Sequence, residues 1–256
     1  MKTNTKIAVA AVVAIALVAV VSFSRNSTSE DKPTHVVVLI PETGPAAEYA
    51  KYSRMGFDLG IASAKAQGLA VPELIYADTR SNPKDALSAL QQSLAVSSPS
   101  LVISLLSSVT KAIAPVAAEQ GIPVIANAVA APGLANPSQG LYRVFPTSDE
   151  VSALASSRLV ELGAKNAIVV YVNDEYGIGC RQTFAEQASL SGLEVLASEP
   201  FEVVQKDFRN QWERLLEQNP DALFIAGYGP GYAAVLQQLA ERSYTCLLYT
   251  SDAADE

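Results

Sequence analysis

Hydroxyls and tyrosines placed where strands give way to helices are the groups in this sequence best positioned for chemistry. Ser107, Ser108 and Thr110 follow the apolar run at 101–105 and open an amphipathic stretch. At a helix start such hydroxyls stand beside N–H groups with no partner inside the helix, which suits a carboxylate or other anion. The same hydroxyls would equally cap the helix with no ligand present. Tyr49 follows the first strand, and Tyr176 and Tyr228 follow two later ones. Each has an apolar face and a polar tip, fit to close over a ligand or to pack at a surface. Ala128 and Ala130 lie in a further strand-end loop, 127–132.

Arrangements that would do catalysis are absent from the sequence. Gly227-x-Gly229 sits between a strand and a helix as a dinucleotide loop would, but Tyr232 stands where the third glycine belongs, leaving a helix-start turn. There is no phosphate-binding Gly-x-x-x-x-Gly-Lys-Ser/Thr loop and no Gly-x-Ser-x-Gly nucleophile elbow. Asp174 and Glu175 are neighbours in sequence, so their side chains point apart and read as solvated loop acids. Cys180 has no base beside it and reads as a packed structural thiol. A single histidine, His35, excludes a multi-histidine metal site. No cofactor and no catalytic or metal-ligating residue is assigned; the chain reads as a non-enzyme.

The totals agree. Of 256 residues, 49% are hydrophobic and 17% charged, and the net charge is −8. With no basic run to offset that, a nucleic-acid backbone would be repelled. Two cysteines, Cys180 and Cys246, make no disulfide framework. Lys2 and Lys6 precede an uncharged apolar run at 7–21 and then Ser22-Phe23-Ser24, the layout of an export signal at 1–24 or of an uncleaved N-terminal anchor. A polar linker follows at 25–33. The globular part is therefore expected outside the cytoplasm. At the other end, 246–256 read as the conceptual translation of a transposase adapter used in DNA library preparation, and are expected to be non-native and disordered.

Between these ends, short β-branched runs alternate with longer helical ones. Strands are expected at 36–40, 74–77, 101–105, 123–126 and 141–145, and then at 167–172, 194–201 and 222–226. Helices are expected at 46–67, 83–97, 108–120, 148–162, 179–191, 207–218 and 230–242, the third capped by Ser107 or Ser108. Near-continuous apolar strands alternating with helices imply parallel sheets covered on both faces. The pattern lapses at 130–140, and a second series begins after Pro146-Thr147-Ser148. Two α/β lobes follow, at 34–146 and 147–245. Ligands bind beyond the carboxyl ends of such strands, where the loops named above lie.

In order and spacing, Gly44-Pro45-x-Ala47-x-Tyr49, Ser107-Ser108-x-Thr110, Asn173-Asp174-Glu175-Tyr176-Gly177 and Gly227-Tyr228 resemble the branched-chain-amino-acid-type substrate-binding proteins of ABC transporters. The resemblance runs from His35 to Tyr244. It implies a type I periplasmic binding fold, two Rossmann-like lobes closing on a small solute, and a membrane permease as partner. It also implies Tyr49 at the cleft edge, Ser107 holding a carboxylate, carbonyls near Ala128 receiving an ammonium, and Tyr176 and Tyr228 closing from the second lobe. Ala130 stands where relatives often carry threonine. Ser81 and Leu106 stand where some carry a disulfide, and the acid that pairs with an ammonium is expected beyond Thr245. A ligand-sensing regulator of the same fold and a periplasmic hydrolase are the alternatives.

Overall fold

The computed structural model describes residues 35–250; the signal or anchor and linker expected at 1–33, and residues 251–256, lie outside that range. Strand β1 (His35–Ile40) is apolar at nearly every position and buried from Val36 onward, as a strand covered on both faces must be. After it come α1 (Ala47–Ala66), β2 (Glu73–Asp78), α2 (Pro83–Val96), β3 (Leu101–Leu105), α3 (Ser107–Glu119), β4 (Val124–Asn127) and β5 (Leu141–Arg143). Asn82 caps α2 by accepting from Lys84 N–H at 2.8 Å, with Pro83 at the first helical position. The five strands form one parallel sheet in the order β2-β1-β3-β4-β5.

The second lobe holds α4 (Ser148–Glu161), β6 (Asn166–Val172), α5 (Glu175–Ser191), β7 (Glu194–Phe201), α6 (Arg209–Leu216), β8 (Ala222–Ala226), α7 (Gly229–Ala240) and β9 (Leu247–Thr250). Its parallel sheet runs β7-β6-β8-β9. Strand β8 is buried at every position, and Phe184 of α5 stacks on its Phe224 with ring centroids 4.4 Å apart. Helix α4 opens with a reciprocal capping box between Thr147 and Glu150. It lays Ser152 against α5, where the Ser152 and Thr183 hydroxyls are 2.8 Å apart; such small residues let the two helices approach closely. The fold is α/β with two lobes of parallel sheet, as expected.

Three local expectations are corrected. Helix α3 is not capped by Ser107 or Ser108: its N-cap is Leu106, which makes no side-chain cap bond, and Ser107 is the first helical residue. Helix α5 begins at Glu175, one turn before the expected 179, because Asp174 caps it through the Gly177 N–H at 3.0 Å. Leu247–Thr250, expected to be disordered with the rest of 246–256, instead pair in parallel with Ala222–Ile225. The outer edge of β8 presents unpaired backbone groups, and Leu-Leu-Tyr-Thr is a strand-prone segment able to meet them.

Candidate functional site

In each sheet the chain leaves its first strand to one side and later returns on the other, so a crevice opens between β1 and β3 and another between β6 and β8. Tyr49, Ser107, Tyr176 and Tyr228 follow these four strands at their carboxyl ends. A doubly wound sheet places ligands at that switch point, and here two switch points supply one site.

The two lobes enclose a cavity of about 140 Å³. Tyr49, Leu106, Ser107, Ala128 and Ala130 line it from the first lobe. Phe145, Pro146, Ser148 and Val151 line it from the crossover and the start of α4, and Asp174, Tyr176, Cys180 and Tyr228 from the remainder of the second lobe. Two of the lining residues hold a backbone that L-residues seldom adopt: Leu106 at φ +71° and Ala128 at φ +51°. Strain of this kind, worth about 1–3 kcal/mol per residue, persists where the surroundings fix it and concentrates at ligand sites.

Of the eight residues singled out in the sequence, the structure brings six to this cavity: Tyr49, Ser107, Ala128, Ala130, Tyr176 and Tyr228. Ser108 does not line it. Thr110 is fully buried behind it, its hydroxyl 2.7 Å from that of Ser104. Ser107 Oγ accepts the Ala131 N–H at 3.3 Å, which leaves its own proton for another acceptor. The first turn of α3 adds N–H groups with no intrahelical partner.

Asp174 is the main correction at the site. It is not a solvated loop acid: it lines the cavity, and Tyr228 Oη donates to its Oδ2 at 2.5 Å. Burial pushes its carboxyl above the ordinary range, opposed by the Tyr228 hydroxyl and by the backbone N–H groups of Gly177 and Tyr176. Glu175 points away, to Lys111 Nζ at 2.8 Å on α3. The pair bridges the lobes at the surface.

Ser148, also missed, is 1% exposed and lines the cavity with a hydroxyl that has no hydrogen-bond partner. Both residues carry a legible signal. Asp174 precedes Gly177 at N-cap spacing, and Ser148 follows a Thr147-x-x-Glu150 capping box. Cys180 is the packed thiol expected, 1% exposed, with burial pushing it up to about 12; it is no nucleophile.

Three tyrosines from three elements meet at the cavity mouth. The Tyr228 ring lies 6.1 Å from Tyr49, edge to face, and 6.2 Å from Tyr176. Tyr49 and Tyr228 also border an outer, open cleft of about 620 Å³ together with Glu48, Tyr52 and Tyr232. Among the described residues, no lysine, arginine or histidine lines either space. Among the described residues no cluster of His, Cys, Asp or Glu has the makings of a metal site. The arrangement offers hydrogen bonds, one acid and aromatic walls, with no nucleophile–base pair.

The same architecture is found in known proteins. The chain is 23% identical over 225 residues to a Leu/Ile/Val-binding protein of Citrobacter freundii, covering 85% of this chain and 61% of that protein. It is similar in fold to a leucine-binding protein from Thermotoga maritima, with TM-score 0.75 and 24% identity, covering 85% of this chain and 63% of the other. A solute-binding protein of an ABC transporter from Rhodopseudomonas palustris, solved in complex with benzoate, superimposes with TM-score 0.75 at 18% identity, covering 84% and 61%. The chain thus spans about three-fifths of the length of these relatives. A family model for periplasmic binding proteins matches residues 33–256. That match takes in both lobes and every residue of the cavity between them, and the chain belongs to the periplasmic binding protein family.

Proposed function

We propose that this protein captures a small polar or amphipathic solute, such as an amino acid, an amide or a small carboxylate, between its two lobes outside the cytoplasm. It then presents that solute, unaltered, to the membrane permease of an ABC transporter. The observation that carries this reading is the enclosed cavity fed by the switch points of both sheets. Its walls are mostly apolar and aromatic, with a few polar groups, the usual make-up of a small-molecule site. Ser107 and the α3 N-terminus supply donors for a carboxylate, and Tyr176 and Tyr228 close from the opposite lobe. The relatives named for leucine and solved with benzoate lend support, since both molecules pair a carboxylate with an apolar body.

The experiment is a thermal-shift screen against amino acids, amides and small carboxylates, followed by calorimetry and mass spectrometry of the recovered ligand. Stoichiometric binding with the ligand returned unchanged is expected. Conversion of the ligand, or no binding across the screen, would overturn the reading.

A further inference from the structure

The enclosed cavity of about 140 Å³ adjoins the larger outer cleft of about 620 Å³. Tyr49 and Tyr228, their ring centroids 6.1 Å apart, belong to the walls of both. Pro45, Tyr49 and Tyr52, around the start of α1, form one side of the cleft, and Tyr228, Pro230 and Tyr232, around the start of α7, the other. Among the described residues Glu48 is the one charged group on its border. Tyr52 Oη donates to Glu48 Oε1 at 3.1 Å along the surface of α1. That bond turns the two polar ends toward each other and leaves the ring of Tyr52, a residue 59% exposed, as open apolar surface. Gly229 brings the two rims together. Its φ is +75°, and a Cβ there would stand 3.3 Å from Pro45 O of the opposite lobe and 3.0 Å from Val203 Cγ1. A larger residue would wedge the rims apart, and one occupant could no longer touch both.

We propose that the outer cleft is a second subsite, holding the neutral apolar tail of an elongated amphipathic solute whose polar head lies in the cavity. The inference rests on the solute-capture reading and narrows it to carboxylates too long for the cavity alone. The walls shared at Tyr49 and Tyr228 assign both spaces to one ligand. Tyrosine rings and prolines on both rims take apolar surface of the tail out of water. An aromatic tail also gains ring pairing, which works at centroid distances of about 4.5–7 Å. A tail that ends in a second carboxylate meets Glu48 and no base, and is rejected.

The test is calorimetry with two series that lengthen only the tail. One runs through the straight-chain carboxylates from butanoate to decanoate, the other through benzoate, 3-phenylpropanoate and 5-phenylpentanoate. Octanedioate is the control with a second charge at the end of its tail. Each is run on the wild-type chain, on Tyr52→Ala and Tyr52→Phe, and on Ala233→Glu. Ala233 is exposed and also borders the cleft, and a glutamate there gives an apolar tail a charge to desolvate. Neither position lines the cavity.

Affinity should rise along at least one series by roughly two- to four-fold for each added methylene, the range between half and full burial. Octanedioate should bind at least roughly ten-fold more weakly than octanoate. Tyr52→Ala and Ala233→Glu should flatten the rise and leave the shortest member unchanged, while Tyr52→Phe, which keeps the ring, should preserve it. Affinity that stays level with tail length, or a rise that Tyr52→Ala and Ala233→Glu leave intact, would overturn the inference and leave solute capture standing. So would octanedioate binding as tightly as octanoate, short and long members weakened alike, or Tyr52→Phe flattening the rise as alanine does. Both series failing while a wider solute screen yields a ligand would also overturn it. A wider screen with no ligand would sink the capture reading itself. Circular dichroism of the variants separates lost recognition from lost fold.

Discussion

Tyr228 Oη donates to Asp174 Oδ2 at 2.5 Å, tying together two residues 54 positions apart that stand at the starts of α7 and α5. The bond fixes where an acid and an aromatic ring face the cavity. It also restrains the acid, since the hydroxyl is the strongest of the groups holding its carboxyl down against burial. The Tyr228 hydroxyl is pushed upward in turn, first by burial and then by the Asp174 charge, so it stays a donor at any physiological pH. Tyr228→Phe should therefore raise the Asp174 carboxyl further and destabilise the fold by about 1–3 kcal/mol, the cost of a buried acceptor losing a donor. Urea unfolding at neutral pH, compared with wild type, measures it.

Ser107→Ala should weaken a carboxylate-bearing ligand by about 1.5–3 kcal/mol, the value of a hydrogen bond to a charged group. The substitution removes a hydroxyl that already accepts from Ala131 N–H and has one proton to give. It leaves the first-turn N–H groups of α3 in place, so binding should weaken without being abolished. Calorimetry with the best ligand from the solute screen gives the number; unchanged affinity would remove Ser107 from the site.

Lys111 on α3 and Glu175 on α5 join the lobes at 2.8 Å, but their side chains are 59% and 36% exposed. Pairs this open to water contribute about 0–1 kcal/mol and are screened by salt. Lys111→Ala should thus reduce ligand affinity only a few-fold at low ionic strength, and not at all in concentrated salt. A salt titration of affinity for both proteins separates this modest latch from a true ligand contact, whose loss would persist in salt.

Much of this was legible in the sequence, for physical reasons. Continuous apolar runs such as Val36–Ile40 and Ala222–Ala226 leave a covered parallel strand as their natural state, and all five β8 residues are buried. The loops after β1, β3, β6 and β8 followed from the rule that ligands gather at strand carboxyl ends. Asp174 did not, because a helix beginning at 179 leaves it in a loop, exposed beside Glu175. Once α5 starts at Glu175, the cap turns Asp174 inward while Glu175 turns to Lys111. Gly177 explains why that helix start is possible: a Cβ there would lie 1.9 Å from Val172 O. Leu106 at φ +71° was equally hidden, since nothing in a leucine announces a backbone that only its surroundings enforce.

Strand β9 carries a prediction of its own. Its backbone pairs with β8, and Tyr249 lies 6.4 Å from Phe224, yet pairing along a backbone is largely indifferent to which strand-prone residues supply it. Removal of 246–256 should uncover the β8 edge and shift the chain toward association, as exposed edges do. Size-exclusion chromatography of the shortened chain checks this. The separate expectation that 246–256 are adapter-derived is checked by sequencing the genomic locus, where codons for that segment should be missing.

Asp174→Asn should make the ligand-free protein more stable at neutral pH. Asn keeps an oxygen for the Gly177 N–H and offers its amide N–H to Tyr228 Oη, so the cap and the contact between α5 and α7 survive. What disappears is a buried negative charge. The folded carboxyl of Asp174 is raised above its ordinary value of 3.8, with burial the main cause. A raised acid binds its proton more tightly folded than unfolded, so its stabilising contribution is full below the ordinary value and is lost as pH climbs through the raised one. The other titratable groups against it are Tyr228, Cys180 and Glu175. Tyr228 and Cys180 are both pushed upward and stay neutral across that window, while Glu175 is present in both proteins and cancels in the comparison. The difference in Tm between Asp174→Asn and wild type should therefore be positive at pH 7, shrink as the solution is acidified toward pH 4, and vanish below it. Thermal unfolding of both proteins across this pH range measures the difference. A difference that stays constant with pH would show that burial does not disfavour the charged form of Asp174.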